Sequence, residues 1–165
     1  MHGNDPVTLT AFFTAVTGAA AALVGLLFVA VSINLDNILK STSMLTARAA
    51  ETLAILLFVL SSSALALVPQ DIELLGAEIL VIAVPLTVIT VRNQLKFQRQ
   101  STDSPLLWSV SRATASAVAL VPGLIAGVCL AAHWSGGFYW LVPTALLGIA
   151  GAVYSAWVLL VEIVR

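Results

Sequence analysis

The residue with the clearest capacity for chemistry is Glu78, a carboxylate set roughly one helical turn inside an otherwise apolar segment. An ionised carboxylate in apolar surroundings costs about 3 kcal/mol unless it is paired, protonated or close to water. Glu78 is therefore a candidate ligand for an ion or a proton. The alternative is that it reaches lipid headgroups or accepts a hydrogen bond from a neighbouring helix.

Two further groups offer oxygen atoms to an ion or to a polar path. Ser61, Ser62 and Ser63 are consecutive hydroxyl residues in another apolar segment, although helical serines commonly bond their own backbone. Asn34 and Asp36 follow the first apolar segment, and their oxygens suit hard cations. Termination of a helix by Asn and Asp is the competing interpretation. These residues join Glu78 as pathway or ion-binding candidates.

Arg112 begins the most apolar part of the fourth segment and is a candidate for a charge pair. Its possible partners are the acids expected on the same side of the membrane, Asp36, Glu51 and Glu162. The alternative is that its long side chain extends to lipid phosphates, as basic residues near helix ends commonly do.

The sequence lacks the residue patterns of common catalytic and cofactor sites. It contains no His-Glu-x-x-His zinc motif, no Gly-x-Ser-x-Gly elbow, no Walker loop and only one cysteine, Cys129. His133 lies near Ser135, but a nucleophilic pair needs a third group to orient it, and an interface role for His133 is favoured. We expect no enzymatic activity, no cofactor and no metal.

Five apolar segments must position these residues, because no other part of the sequence is long enough to form a domain. We predict an all-α integral membrane bundle in one domain, 1–165, with five transmembrane spans at about 9–33, 52–68, 74–91, 105–132 and 138–161. The first segment is too long for the apolar core of a signal peptide and lacks basic residues before it. The polar stretch 92–100 is predicted to continue the third helix into the cytoplasm.

The positions of the basic residues predict the orientation of these spans. All seven fall on one side of a five-span topology, and they are Lys40, Arg48, Arg92, Lys96, Arg99, Arg112 and Arg165. Because cytoplasmic loops carry the excess of Lys and Arg, we expect the N-terminus outside and the C-terminus in the cytoplasm. Trp134, Tyr139 and Trp140 then lie at the outer headgroup level.

The composition points to the same class. Hydrophobic residues make up 60% of the 165 residues and charged residues 9%, whereas soluble domains carry about 25% charged residues. The net charge of −1 gives no attraction for nucleic acid, so none is expected as a partner. The partner that the composition requires is the lipid bilayer.

Small residues recur at helical spacing on three segments and predict close helix packing. Gly18 and Gly25 share a face of the first segment with Thr14, Ala21 and Ser32, and the other pairs are Gly123 with Gly127 and Gly148 with Gly151. Small residues let helix backbones approach each other in lipid. Packing within one protomer would explain them, but three such faces exceed what one small bundle needs, so we expect a homo-oligomer.

The run GAAAALVGLLFVAVSINLDNIL, from Gly18 to Leu39, resembles the first helix of small uncharacterised bacterial multi-pass membrane proteins. The resemblance implies no activity. Together with the bias toward Ala, Val and Leu and the lack of an alternating strand pattern, it favours a location in the bacterial inner membrane.

The predicted function is a pathway for an ion or small solute, enclosed by assembled protomers. Its support is Glu78, the small-residue faces, and helix interruptions expected at Pro85 and at Pro122-Gly123. The alternative is a structural or accessory subunit that packs against a larger membrane complex and conducts nothing. The sparse polar content of the spans favours that alternative.

Overall fold

The computed structural model describes residues 6–33, 43–100, 106–134 and 136–164, and all regular structure within these ranges is helical. Five α-helices lie in the described residues: α1 at Pro6–Ile33, α2 at Ser43–Leu65, α3 at Ile72–Gln100, α4 at Leu106–Ala131 and α5 at Gly137–Val164. The chain is therefore all-α, as predicted.

The helix boundaries differ from the apolar segments mainly in α2. This helix begins at Ser43 rather than near 52. Arg48 and Glu51 end the apolar segment on that side, but both residue types are compatible with a helix, so the helix extends beyond the apolar segment. It ends at Leu65 rather than at 68, where the amides of Leu67 and Val68 turn back onto carbonyls three residues earlier. The continuation of the third helix through Gln100 is confirmed.

The expected helix interruptions at proline are wrong. α3 continues through Pro85 and α4 continues through Pro122 and Gly123. Each proline lacks an N–H and so removes one hydrogen bond of the helix, but the neighbouring turns maintain the helical path. α5 likewise contains Pro143 without ending there. Interrupted helices therefore give no support to a pathway in this chain.

Three of the helices are long and apolar enough, by length and composition, to cross a membrane, which suggests a membrane protein. The qualifying stretches of the described residues are Leu9–Ile33, Ile72–Leu95 and Gly137–Trp157, while Ala49–Leu65 and Ala117–Ala131 form shorter apolar stretches. Large apolar side chains on these helices are exposed, with Phe28 at 66% and Val81 at 74%. In water each such side chain would forfeit about 2 kcal/mol of burial, whereas lipid solvates it.

The chain divides into two compact units, which are described separately. The first unit comprises 1–69 and 149–165, and the second comprises 70–148. In the first unit α1 packs on α2. The unit has an apolar core in which Leu27 of α1, Leu56 of α2 and Ala152 of α5 are buried together, with Leu23, Val24, Val31 and Leu53 packed around them.

In the second unit α3 packs on α4, and glycine allows the closest approach. A Cβ atom at Gly76 would overlap the Ala131 backbone and would lie 2.8 Å from both the Cα of Ala131 and the carbonyl carbon of Leu130. One at Gly127 would lie 2.8 Å from the Cγ of Leu80. Ile79 and Leu130 are fully buried in the same unit, so this helix pair has a closely packed interior.

Candidate functional site

The second unit gathers several polar side chains where α3 begins and α4 ends. The turn before α3 contains Gln70 and Asp71, the first turn of α3 contains Glu73, and His133 follows α4. Together with Ile72 they line a recess of about 380 Å³. We call this set, with Glu78 one turn farther along α3, the α3–α4 corner.

The backbone at the end of α4 determines where His133 lies. His133 has a φ of 59°, in the left-handed region that disfavours residues with a side chain. The amide of Trp134 donates to the Cys129 carbonyl at 2.9 Å and the amide of His133 to the Leu130 carbonyl at 3.0 Å. These are the two hydrogen bonds of a Schellman motif, with histidine at the position that glycine usually occupies.

The side chain of His133 contacts α3. Its Nε2 lies 3.3 Å from Oε2 of Glu73, and the two side chains are 72% and 65% exposed. Glu73 occupies the first turn of its helix, where the positive end of the helix dipole favours a carboxylate. Because the pair is exposed, water screens it, and its contribution to stability is modest.

Glu78 is half-buried, and its carboxylate is held by the turn before its own helix. The Gln70 side-chain amide donates to Oε2 of Glu78 at 2.9 Å. No other contact to the Glu78 carboxylate occurs among the described residues, so its second oxygen has no protein partner there. The sequence alternatives for Glu78 were lipid headgroups or a donor on a neighbouring helix, and the Gln70 donor lies in the turn before α3, eight residues earlier in the chain.

The three serines lie in α2 of the first unit, and two of them bond their own helix. The hydroxyl of Ser62 donates to the Val59 carbonyl at 3.2 Å. Ser63 is buried and donates to the carbonyls of Val59 and, at 3.3 Å, Leu60. This is the local bonding that competes with a pathway role, while Ser61 is half-buried.

The remaining candidates fall partly or wholly beyond what the structure describes. Asn34 and Asp36 lie outside the described residues. Arg112 lies within α4, but its side chain belongs to the part that is not described, so its predicted charge pair stays a prediction. Among the described residues no three His, Cys, Asp or Glu side chains are arranged to hold a metal ion.

The small-residue faces divide into buried and open ones. Gly123, Gly127 and Gly148 are buried, which is the expected result for packing within a protomer. Gly18 and Gly25 are exposed, and a Cβ atom at either would meet nothing within 4 Å. Thr14, Ala21 and Ser32 on the same face of α1 are exposed too. Gly151 is half-buried, again with open space around its Cβ position.

Sequence reasoning missed Gly76 and the partners of Glu78. A lone glycine within a helical pattern is a signal for close backbone approach, and Gly76 lies two residues before Glu78. Gln70 and Glu73 were part of the connecting turn, and nothing in their spacing identified Glu78 or His133 as their partners. Those contacts depend on how the turn folds back, which hydrophobic periodicity does not predict.

No protein-family model matches the chain, and comparisons with curated proteins and with solved structures likewise found no match.

Proposed function

We propose that the chain is a multi-pass protein of the bacterial inner membrane, with five spans, whose assembled protomers enclose a pathway for an ion or small solute. The observation that carries the proposal is the Glu78 carboxylate. One of its oxygens is held by Gln70 at 2.9 Å while the other has no partner among the described residues. A carboxylate that has one oxygen held by a donor and the other open, within an apolar helix, is suited to bind a cation or a proton.

The polar recess is lined by Gln70, the residue that donates to Glu78, and this supports an entrance at the same corner. Asp71 and Glu73 line it, and both are exposed. Rings or groups of carboxylates at a pore mouth raise the local cation concentration and favour cations over anions. In the proposed orientation this corner faces outward, and a cation would meet Asp71 and Glu73 before it reaches Glu78.

The exposed face of α1 supports assembly of several protomers. Lipid tails give helices no hydrophobic reason to associate, so close backbone approach must supply the attraction. Gly18 and Gly25 leave that approach open, since no atom of the described residues lies within 4 Å of a Cβ position at either glycine. Only 17% of the most apolar part of Leu9–Ile33 is buried, against 33% for Gly137–Trp157. Of the three long apolar stretches, the one in α1 therefore has the smallest buried share and the most surface to offer a second protomer.

A flux assay in liposomes tests the pathway directly. Glu78→Gln keeps the size of the side chain and its capacity for hydrogen bonds but removes the charge, so we expect unchanged assembly and at least a tenfold loss of cation flux, about 1.4 kcal/mol in the barrier. Glu51→Gln is the matched control, because Glu51 is also half-buried but lies in α2. Equal, reproducible flux in the wild-type and Glu78→Gln proteins would disprove the role of Glu78.

Cysteine accessibility tests the orientation. In a Cys129→Ser background, single cysteines at Gly3, Gln98 and Gly136 are exposed to an impermeant thiol reagent on intact cells. We expect labelling at 3 and 136 only, because the basic residues of the stretch 92–100 place Gln98 in the cytoplasm. Labelling at 98 would overturn the proposed topology and with it the outward position of the recess.

The second candidate function is a non-conducting structural or accessory subunit of a larger membrane complex. The observation that favours it is the bonding of Ser62 and Ser63 to their own helix, which leaves α2 without a hydroxyl lining from these two residues. In that case Glu78 serves to hold the turn before α3. Glu78→Gln would then impair assembly, and neither the wild-type protein nor the variant would show flux.

A further inference from the structure

We propose that one face of α3 binds an anionic phospholipid, whose headgroup phosphate is held by Arg92, Lys96 and Arg99. We call this face the α3 stripe, and its members are Leu74, Val81, Val88, Arg92, Lys96 and Arg99. Binding at this face does not require that the protein conducts anything.

Helical periodicity places the α3 stripe on one side of the helix. Successive members are seven, seven, four, four and three residues apart, and at about 100° per residue they fall within an arc of about 80°. The helix is continuous over Ile72–Gln100, so the two chemical halves of the stripe lie in line. An apolar half, Leu74 to Val88, is followed by a basic half, Arg92 to Arg99.

The α3 stripe lies opposite the face through which α3 packs in the second unit. Ile79, Ala83 and Thr90 are buried, and they lie roughly 140° to 180° around the helix from Arg92. Ile79 is directed toward α4, since a Cβ atom at Gly127 would lie 3.3 Å from its Cγ2. The stripe is therefore on the side of α3 that the interior of this unit does not use.

The apolar half of the α3 stripe offers a surface to acyl chains. Leu74, Val81 and Val88 are 51%, 74% and 47% exposed. All three belong to Ile72–Leu95, a stretch long and apolar enough to cross a membrane. Lipid tails are as apolar as these side chains and solvate them without the cost of contact with water.

The basic half of the α3 stripe lies in line with the apolar half, at the end of the apolar stretch. Arg92 is exposed and forms no ion pair with any residue that the structure describes. Lys96 and Arg99 take the next positions on the same face of the helix backbone, beyond Leu95. From Arg92 to Arg99 the helix rises about 10 Å, which covers a headgroup layer of roughly 5 to 8 Å on one side of a bilayer.

An anionic phospholipid is the ligand that matches both halves of the α3 stripe. It carries acyl chains for the apolar half and a phosphate for the three cations, and arginine pairs with phosphate through two parallel hydrogen bonds. Nucleic acids and acidic peptides match the basic half only. A zwitterionic phospholipid adds an ammonium group that the cations repel. Each basic residue near an anionic lipid surface contributes about a fivefold gain in affinity.

Native mass spectrometry of the full chain in detergent tests the lipid preference. Phosphatidylglycerol and phosphatidylcholine with the same acyl chains are the probes, and we expect phosphatidylglycerol to bind about tenfold more tightly. R92Q/K96Q/R99Q should abolish this preference. Glutamine is a good helix former, so the circular dichroism spectrum should not change. R92K/R99K keeps the three charges and should keep most of the preference.

K40Q/R48Q/R165Q is the matched control, because it removes the same charge from positions outside α3. It should leave the preference for phosphatidylglycerol unchanged. Equal binding of the two lipids by the wild-type protein would overturn the proposal. So would equal losses in the two triple variants, since total charge would then set the preference. Loss of self-association in R92Q/K96Q/R99Q with an unchanged lipid preference would also overturn it and would assign the stripe to a second copy of the chain.

Discussion

In the second unit Gly76 and Gly127 lie against the backbone or side chains of the neighbouring helix, whereas in the first unit Gly18 and Gly25 have open space around them among the described residues. Gly76 and Gly127 leave no room for a Cβ atom, while Gly18 and Gly25 would accept one freely. The α1–α2 contact is built instead from larger side chains such as Leu27 and Leu56. The same residue type therefore serves internal packing in one unit and faces outward in the other.

The polar side chains of the two units also differ in where their hydrogen-bond partners lie. Ser62 and Ser63 of the first unit donate to the carbonyls of their own helix. In the second unit Glu78 and His133 have partners from other parts of the chain, Gln70 and Glu73. Side chains that bond their own helix do not link segments, whereas the contacts of Glu78 and His133 connect separate elements of the second unit.

The largest expected effect comes from filling the tightest glycine contact. Gly76→Ala places a methyl group into the Ala131 backbone, which cannot move aside as a flexible side chain would. We expect a loss of about 3 kcal/mol in the free energy of unfolding, the upper part of the usual range for overpacking. Unfolding in mixed micelles monitored by circular dichroism measures it.

Gly25→Ala is the control for Gly76→Ala, and there the change should be within about 1 kcal/mol and in the stabilising direction, since alanine is the better helix former. Equal losses in the two variants would break the comparison, because they would mean that both glycines are closely packed.

The next effect separates assembly from folding. Gly25→Leu adds a large side chain to an open face, so we expect a smaller detergent-solubilised particle with an unchanged unfolding midpoint. Gly148→Leu adds the same side chain at a buried position and should destabilise the protomer by about 2 kcal/mol. Light scattering coupled to size exclusion, with thermal unfolding of each variant, distinguishes the two. A wild-type protein that is already monomeric would refute the outward role of α1.

The smallest effect concerns the serines. Ser63→Ala removes a hydroxyl that bonds carbonyls already engaged in the helix, so the free energy of unfolding should change by about 0.5 kcal/mol or less. Cation flux should stay at the wild-type level. A clear loss of flux in this variant would show instead that α2 contributes a polar lining, and the contrast between the units would disappear.

The helices were largely predictable because each of them contains a long run of apolar residues. Each of the five predicted segments overlaps a helix of the described residues, and the third helix extends to Gln100 as predicted. The start of α2 was not predictable from hydropathy, because Ser43 to Arg48 is helical without being apolar. The predicted interruptions at proline were wrong, since Pro85 and Pro122 disfavour a helix locally but do not end α3 and α4.

The candidate site was predictable only in part. Glu78 was identified because a carboxylate in an apolar segment is costly wherever it lies. Its donor Gln70 was not, because that contact depends on the fold of the turn between α2 and α3. The small-residue faces were found from their helical spacing, but spacing does not show whether another helix lies against a face. Gly127 and Gly25 received the same interpretation, although of the two only Gly127 lies against a neighbouring helix.

The contact of Gly76 with Ala131 also restricts how the second unit can move. Two helices joined through side chains can slide by changes of rotamer, but backbone in direct contact with backbone has no such freedom. Axial sliding of α3 past α4 would carry an adjacent turn of the same face toward this point, and the side chain of Glu73 or Leu80 would collide there. The contact therefore allows the two helices to change their crossing angle but keeps the axial register between α3 and α4 fixed.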